Sequence, residues 1–224
     1  MGNIPERGFS VGEFELRLQR AQNLMRSQNL DGILLMSEPE VRYFSGFHTL
    51  FWLSPTRPWF LFIPIEGKPI AIIPEIGAAL MRETWIEDIR TWSAPSPDDD
   101  GISLLLDLLS PLSKQGGRLG IMKGHETSLR MPLADYERLM TSLPGLNLID
   151  ATSLVRSLRM VKSAFEIEKI AHICTIASNA FARANEIFYE GQPFAETFRA
   201  FRMECLAQGA DDVPYLAGGA NIGG

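Results

Sequence analysis

The chain has 224 residues, of which 46% are hydrophobic and 21% are charged, and its formal net charge at pH 7 is -6. This composition is typical of a soluble globular protein and excludes a chain that is disordered throughout. The negative charge argues against nucleic acid or anionic membranes as partners, and no apolar run approaches the roughly 18 residues that a membrane span needs. The N-terminus has no apolar signal core, so we expect a cytoplasmic protein.

The first part of the chain predicts helices that alternate with strands. Ser10 and Glu13 have the spacing of a capping box, and apolar residues then recur every three or four positions. These features predict a helix over about 11–27. Apolar runs predict strands at 32–36, 59–65, 69–73, 89–92, 118–122 and 146–149, and further helices are predicted at 76–85, at 102–110 and after Pro132. The alternation predicts a layered α/β domain with a mixed sheet and one hairpin, at Glu66–Lys68.

The second part begins with another capping box, formed by Ser163 and Glu166. A long helix is predicted from there to about Tyr189, followed by a second helix over 193–207 and a possible strand at 213–217. Both helices carry broad apolar stripes that this short segment has no sheet to cover, so we expect exposed apolar surface. We predict a domain over 1–155 and an incomplete one over 156–224, and expect the chain to be part of a longer protein.

Few residues of the chain suggest chemistry. None of the three histidines, His48, His125 and His172, stands at metal-binding spacing from a second ligand. Cys174 and Cys205 fall on apolar positions of predicted helices, where a free thiol acts as a small hydrophobic group. We interpret the acidic run Asp98–Asp100 as a helix cap with a solvated loop, and not as a metal site.

The segment Val41–Trp52 differs, because it concentrates aromatic residues, an arginine and a histidine after the first buried strand, in a predicted loop. Arg57 follows it and could bind a carboxylate through two parallel hydrogen bonds, with Trp52 or Phe51 as an apolar wall. The alternative interpretation is that these aromatic side chains only fill the domain or a dimer interface.

Four groups of residues resemble the creatinase/prolidase/aminopeptidase P family of pita-bread metallohydrolases. They are Arg17, Arg20 and Leu24-Met25; Leu30–Leu35; Arg42–Phe47; and Arg159–Ser163 with Glu166-Ile167. The likeness spans about residues 10–224, and one departure is that Pro39-Glu40 replaces an asparagine common before the third group. The resemblance implies a creatinase-like N-terminal mixed-sheet α/β domain, followed by the first helices of an incomplete α+β pita-bread domain.

The resemblance also implies an activity for the intact protein. Members of the family hold two divalent metal ions, such as Mn, Zn or Co, which activate a hydroxide that attacks an amide, commonly before proline. All five metal ligands would lie beyond Gly224, so we expect no catalytic residue, no metal and no cofactor in this chain alone. Family members form homodimers in which the N-terminal domain of one subunit reaches the active site of the other. His48, Trp52 and Arg57 are therefore our candidates for substrate contacts in trans.

Two alternatives remain open at this point. The chain could instead be a non-catalytic binding module with a creatinase-like fold, or part of a creatinase-type amidinohydrolase that acts on a small non-peptide substrate. The residues that follow in the intact protein would distinguish the first alternative, because they either contain the metal ligands or do not.

Overall fold

The computed structural model describes residues 4–54 and 57–219. Backbone contacts divide the chain into two compact units. The first unit is Gly8–Val161, and the second joins Lys162–Gly224 with the segment up to Arg7. This division concerns contacts alone, and the domain boundary predicted after residue 155 stays a prediction.

A six-stranded sheet forms the centre of the first unit. In chain order its strands are β1 (Gly32–Leu35), β2 (Phe60–Pro64), β3 (Ile70–Pro74), β4 (Asp88–Trp92), β5 (Arg118–Ile121) and β6 (Asn147–Asp150). Their order across the sheet is β4-β3-β2-β1-β5-β6. The β1–β2 and β2–β3 pairs are antiparallel, whereas β1–β5, β5–β6 and β3–β4 are parallel. The predictions of a mixed sheet and of the β2–β3 hairpin are confirmed.

Helices cover both faces of this sheet. They are α1 (Val11–Ser27), α2 (Glu38–Ser45), the short α3 (Ala78–Met81), α4 (Ile102–Lys114), α5 (Leu133–Ser142) and α6 (Thr152–Met160). Successive residues of β1 point to opposite faces, so Ile33 and Leu35 join a core with α1, α2 and α6, while Leu34 joins a second core with α4 and α5. Every residue of β1 is buried, as expected of a strand covered on both faces.

Residues 38–45 form helix α2, although the sequence analysis assigns the segment from Val41 to a loop. Glu38 and Glu40 suit the positive N-terminal end of a helix, and Pro39 lies in the first turn, where its missing N–H is not needed. Gly46 ends the helix in the left-handed conformation, with φ of 78°. The loop prediction was therefore wrong up to Ser45, and the loop begins at Gly46.

One other helical prediction was wrong, and one helix was not predicted. The helix expected over 76–85 is only a 3-10 turn at Glu75–Gly77 followed by α3, because the Thr84 hydroxyl donates to the Met81 carbonyl oxygen at 2.7 Å and ends the helical segment. Residues 152–160 form a separate helix, α6, which was not predicted. α6 ends at Met160, Val161 is extended, and Leu154, Val155 and Leu158 of α6 pack in the core of the first unit.

The second unit contains α7 (Ala164–Ala182), the short α8 (Ala184–Ile187) and α9 (Phe194–Ala207). Both halves of the predicted capping box are present at Ser163 and Glu166. α7 stops at Ala182, and not near Tyr189 as predicted, and the guanidinium of the next residue, Arg183, donates to both carboxylate oxygens of Glu204 on α9 at 2.9 Å. The strand predicted at 213–217 is wrong, since this described segment has no regular structure and pairs with no strand.

The core of the second unit is small. It consists of Ala180, Phe201 and Cys205, with a few half-buried apolar neighbours. The expected exposure of apolar residues is observed on α7, in which the buried positions are Ile176 and Ala180. Its exposed large apolar residues are Phe165, Ile167, Ile170, Ile173 and Phe181.

Candidate substrate-contact site

The three candidate residues lie on the segment that connects α2 to β2. Gly46 turns the chain out of α2, and a Cβ atom at this position would lie only 2.8 Å from Phe14 Cζ, so both backbone conformation and space favour glycine. Leu50–Leu53 then form a 3-10 turn, in which the Thr49 hydroxyl accepts a hydrogen bond from the Phe51 N–H at 3.3 Å. Local hydrogen bonds thus shape the segment that carries the candidate site.

His48 lies on the surface beside an acidic side chain. Its Nδ1 atom is 3.3 Å from Glu38 Oε1, and the same oxygen lies 4.0 Å from Arg42 Nη1. Because an ionised carboxylate only accepts hydrogen bonds, a hydrogen bond here requires the tautomer with the proton on Nδ1, in which Nε2 is an acceptor. About half of the His48 side chain, 53%, is exposed. His48 is therefore oriented by α2 and accessible to a ligand.

Trp52 is buried, unlike its neighbours in the turn. Its ring packs 5.7 Å from the ring centroid of Trp59 and 6.3 Å from that of Phe47, and only 5% of the residue is exposed. Phe51 is 42% exposed and stacks on Trp59 at 6.4 Å. Of the two residues proposed as an apolar wall, Phe51 is therefore the one that offers accessible surface. Trp52 as a direct substrate contact stays a prediction.

Arg57 is half-buried. Among the residues that the structure describes, its guanidinium makes no hydrogen bond or ion pair, and no hydrogen bond, ion pair or ring contact joins His48, Trp52 and Arg57 to one another. The structure thus places each candidate on the same short segment without assembling them into one cluster. Their common role in binding substrate stays a prediction.

Arg130 contacts the turn and was not singled out by the sequence analysis. It follows Trp52 by 78 residues, and its Nη1 atom donates to the Trp52 carbonyl oxygen at 3.0 Å. Another guanidinium nitrogen donates to the carbonyl oxygen of Ser54, and the guanidinium carbon lies 5.0 Å from the centroid of the Trp52 ring. Burial lowers the pKa of Arg130, and the negative charge of Glu38 partly opposes this effect. No local pattern in the sequence marks this residue.

One buried and one partly buried ion pair join the helices next to the site. Arg17 Nε lies 3.1 Å from Glu13 Oε1, and Arg17 Nη1 donates to the Tyr43 carbonyl oxygen of α2 at 2.8 Å. Glu40 of α2 binds Arg159 of α6, with 2.7 Å between Oε1 and Nη1. Residues of the family-like groups at 17, 42–47 and 159 therefore join α1, α2 and α6, which is a structural role.

The described part of the chain offers no ligand set for a metal ion. Residues 4–54 and 57–219 contain no group of three or more His, Cys, Asp or Glu side chains placed to hold one. His125 is solvated, with 92% of its side chain exposed. Cys205 is buried and Cys174 exposed, and burial raises the pKa of the Cys205 thiol, so this group stays protonated at neutral pH.

A polar cleft of about 410 Å³ lies elsewhere in the first unit, where β1 and β5 begin. Its lining includes Arg26, Asn29, Asp31 and Arg118, and none of the three candidate residues takes part. Separately, none of the helices described is both long and apolar enough to cross a membrane.

The helix-covered mixed sheet defines the class of this protein as a layered α/β domain with an attached helical unit. The family model of the creatinase/prolidase N-terminal domain matches residues 17–161, nearly the whole first unit. The chain belongs to this family. The resemblance inferred from the four groups of residues is thereby confirmed.

Known proteins match this chain in sequence or fold over more than this domain. The chain is 27% identical over 189 residues to "Creatinase" of Bacillus sp. (strain B-0618), covering 83% of this chain and 43% of the relative. It is 23% identical over 197 residues to "Ectoine hydrolase" of Halomonas elongata, covering 83% and 47%. The structure of a prolidase from Thermococcus sibiricus matches with a TM-score of 0.74 at 22% identity, covering 90% of this chain and 52% of that chain. The chain thus spans about half the length of these proteins, and the structural match shows a shared fold.

Proposed function

We propose that this chain is the N-terminal part of a dinuclear metal-dependent hydrolase that resembles Xaa-Pro dipeptidases and aminopeptidases. The match of the creatinase/prolidase N-terminal domain over residues 17–161 is the observation that carries this proposal. Support also comes from the similarity to proteins about twice as long, among them a prolidase. In this proposal the metal ligands belong to the following part of the protein, and this chain contributes to dimerisation and to the substrate cleft.

The loop after α2 contributes side chains to the cleft of the partner subunit in a homodimer. His48 suits this role because Glu38 orients its ring and leaves Nε2 accessible to a substrate N–H. Arg57 suits the terminal carboxylate of a dipeptide, which a guanidinium binds through two parallel hydrogen bonds. Phe51 supplies an exposed apolar surface for a proline ring. Trp52 is buried and either anchors the turn or contacts the substrate itself.

The test is an assay of the chain expressed together with the coding sequence that follows it. With Mn²⁺, Zn²⁺ or Co²⁺ we expect hydrolysis of Xaa-Pro dipeptides. His48→Ala and Arg57→Ala should each lower kcat/KM about 10- to 100-fold, the loss expected for a hydrogen bond to a charged group. His125→Ala is the matched control, since this histidine lies on another loop and is solvated. A reading frame without further Asp, Glu and His ligands would contradict the proposal and favour a binding module.

Hybrid dimers test whether the contact is made in trans. As homodimers, a His48→Ala protein is expected to keep about 1–10% of the wild-type activity, and a protein that lacks one downstream metal ligand is expected to be inactive. In a random mixture about half of the dimers are hybrid, and each hybrid holds one complete site, so activity should return to about a quarter of the wild-type value. Mixing that restores no activity would place the His48 contact within its own subunit.

The similarity to a creatinase favours one alternative within the hydrolase class. Because that relative is named for activity on a non-peptide molecule, the assay should include creatine beside the dipeptides. Cleavage of creatine without cleavage of Xaa-Pro dipeptides would select an amidinohydrolase and reject the peptidase.

A further inference from the structure

In the turn Leu50–Leu53, one residue is buried and the other three are exposed. Leu50, Phe51 and Leu53 are 76%, 42% and 83% exposed, whereas Trp52 is 5% exposed. Exposed apolar side chains do not hold a turn in place, because they gain little from burial. The conformation of this turn therefore depends on Trp52 and on whatever binds its backbone.

Arg130 binds this backbone at two carbonyl groups. Its guanidinium donates to the carbonyl oxygens of Trp52 and Ser54, at the end of the 3-10 turn, where carbonyl groups lack partners within the helix. The same group lies over the Trp52 ring, which adds a cation–π contact. A lysine could reproduce one such hydrogen bond but not the fork geometry together with the stacking.

Two unpaired donors show that the cluster is not fully satisfied. Trp52 Nε1 and Arg130 Nε are buried and have no hydrogen-bond partner among the described residues. The hydrogen bonds and the ring contact of Arg130 therefore carry its role at the turn.

We propose that Arg130 is a positioning residue that fixes the Leu50–Leu53 turn and Trp52 in the geometry from which this segment contacts substrate. The first half of the proposal, anchoring of the turn, stands on the hydrogen bonds and the ring contact alone. The second half, an effect on substrate binding, rests on the proposed function.

Hydrogen exchange of the 224-residue chain tests the anchoring. The amides of Trp52 and Ser54 donate within the turn, to the carbonyl oxygens of Thr49 and Phe51, and so report its opening. Arg130→Met should speed their exchange about tenfold or more, because two hydrogen bonds from a charged group are lost, and Arg130→Lys should restore part of the protection. Amides of β1 should be unchanged, which also shows that the variant is folded.

Arg26→Met is the matched control. Its guanidinium also donates to a backbone carbonyl oxygen, that of Ile65, at 3.2 Å, but at the polar cleft. It should leave the exchange of Trp52 and Ser54 unchanged. Equal exchange of these two amides in Arg130→Met and in the wild type would overturn the anchoring.

Kinetics of the longer protein test the effect on substrate. A turn that is loosened but still reaches the cleft should raise KM about tenfold with kcat changed less than about twofold, and Arg130→Lys should recover part of the loss. Faster exchange with an unchanged KM would overturn the second half of the proposal, since the turn would then be anchored without contacting substrate. If the longer protein hydrolyses no substrate, the proposed function and this second half fail together, while the exchange result still decides the anchoring.

Discussion

Helices in the two units of this chain begin with the same local signals in the sequence. The two units differ in how far these helices are buried. In the first unit, apolar residues of the helices pack on both faces of the sheet, in two extensive cores. In the second unit, α7 has a complete capping box, yet only Ile176 and Ala180 of this helix are buried. A capping box fixes where a helix starts, whereas tertiary packing of an apolar face supplies most of its stability.

This difference predicts that only the first unit folds independently. Residues 8–161 expressed alone should give a well-dispersed NMR spectrum and a single cooperative unfolding transition, because both cores are complete within them. Residues 162–224 alone should be insoluble or molten, since their core contains only Ala180, Phe201 and Cys205 and their exposed apolar side chains favour association. A dispersed spectrum from the second piece would contradict the comparison.

The ion pairs of the two units give a second and smaller contrast. Arg17→Met should lower the free energy of unfolding of the first unit by about 3–5 kcal/mol, because it leaves the buried Glu13 carboxylate without its partner. The control is Arg7→Met, which removes the ion pair with Asp211 of the second unit. That pair is 75% and 67% exposed, so no measurable change is expected. Urea unfolding measures both changes in the free energy of unfolding. Similar changes would show that burial does not make the Arg17 pair more stabilising than the Arg7 pair.

The sheet of the first unit could be predicted because its signals are local. Apolar runs bounded by polar, glycine or proline residues predicted all six strands, and Glu66–Lys68 marked the hairpin. The helix α2 was missed although Pro39 and Gly46 stand at its two ends, because the aromatic residues between them have no clear helical spacing. The sequence therefore contained the signals for both ends of α2.

Other features depend on contacts between distant residues. Nothing beside Arg130 in the sequence indicates that it binds the carbonyl group of a residue 78 positions earlier. The strand expected at 213–217 has apolar and β-branched residues, but a strand also needs a neighbour, and none pairs with this segment in the described structure. Of the candidate site, the sequence predicted the segment and its accessible histidine, but not the residue that anchors its turn.

The smallest expected effect concerns pH. Asp150 Oδ1 accepts hydrogen bonds from the hydroxyl and the N–H of Thr152, at 2.5 and 2.9 Å, and these bonds lower the pKa of Asp150. A carboxylate with a lowered pKa stabilises the folded state above its unfolded pKa of about 3.9, and this contribution is lost as pH falls through the folded value. Asp150→Asn should therefore destabilise the first unit slightly at pH 7, by much less than Arg17→Met, and the difference from the wild type should shrink below about pH 4. Arg7 likewise lowers the pKa of Asp211, so Asp211→Asn is the matched variant in the second unit. Because the Arg7–Asp211 pair is exposed, Asp211→Asn should leave the urea transition unchanged at every pH, and an equal shift in both variants would contradict a stabilising role of the Thr152 hydrogen bonds.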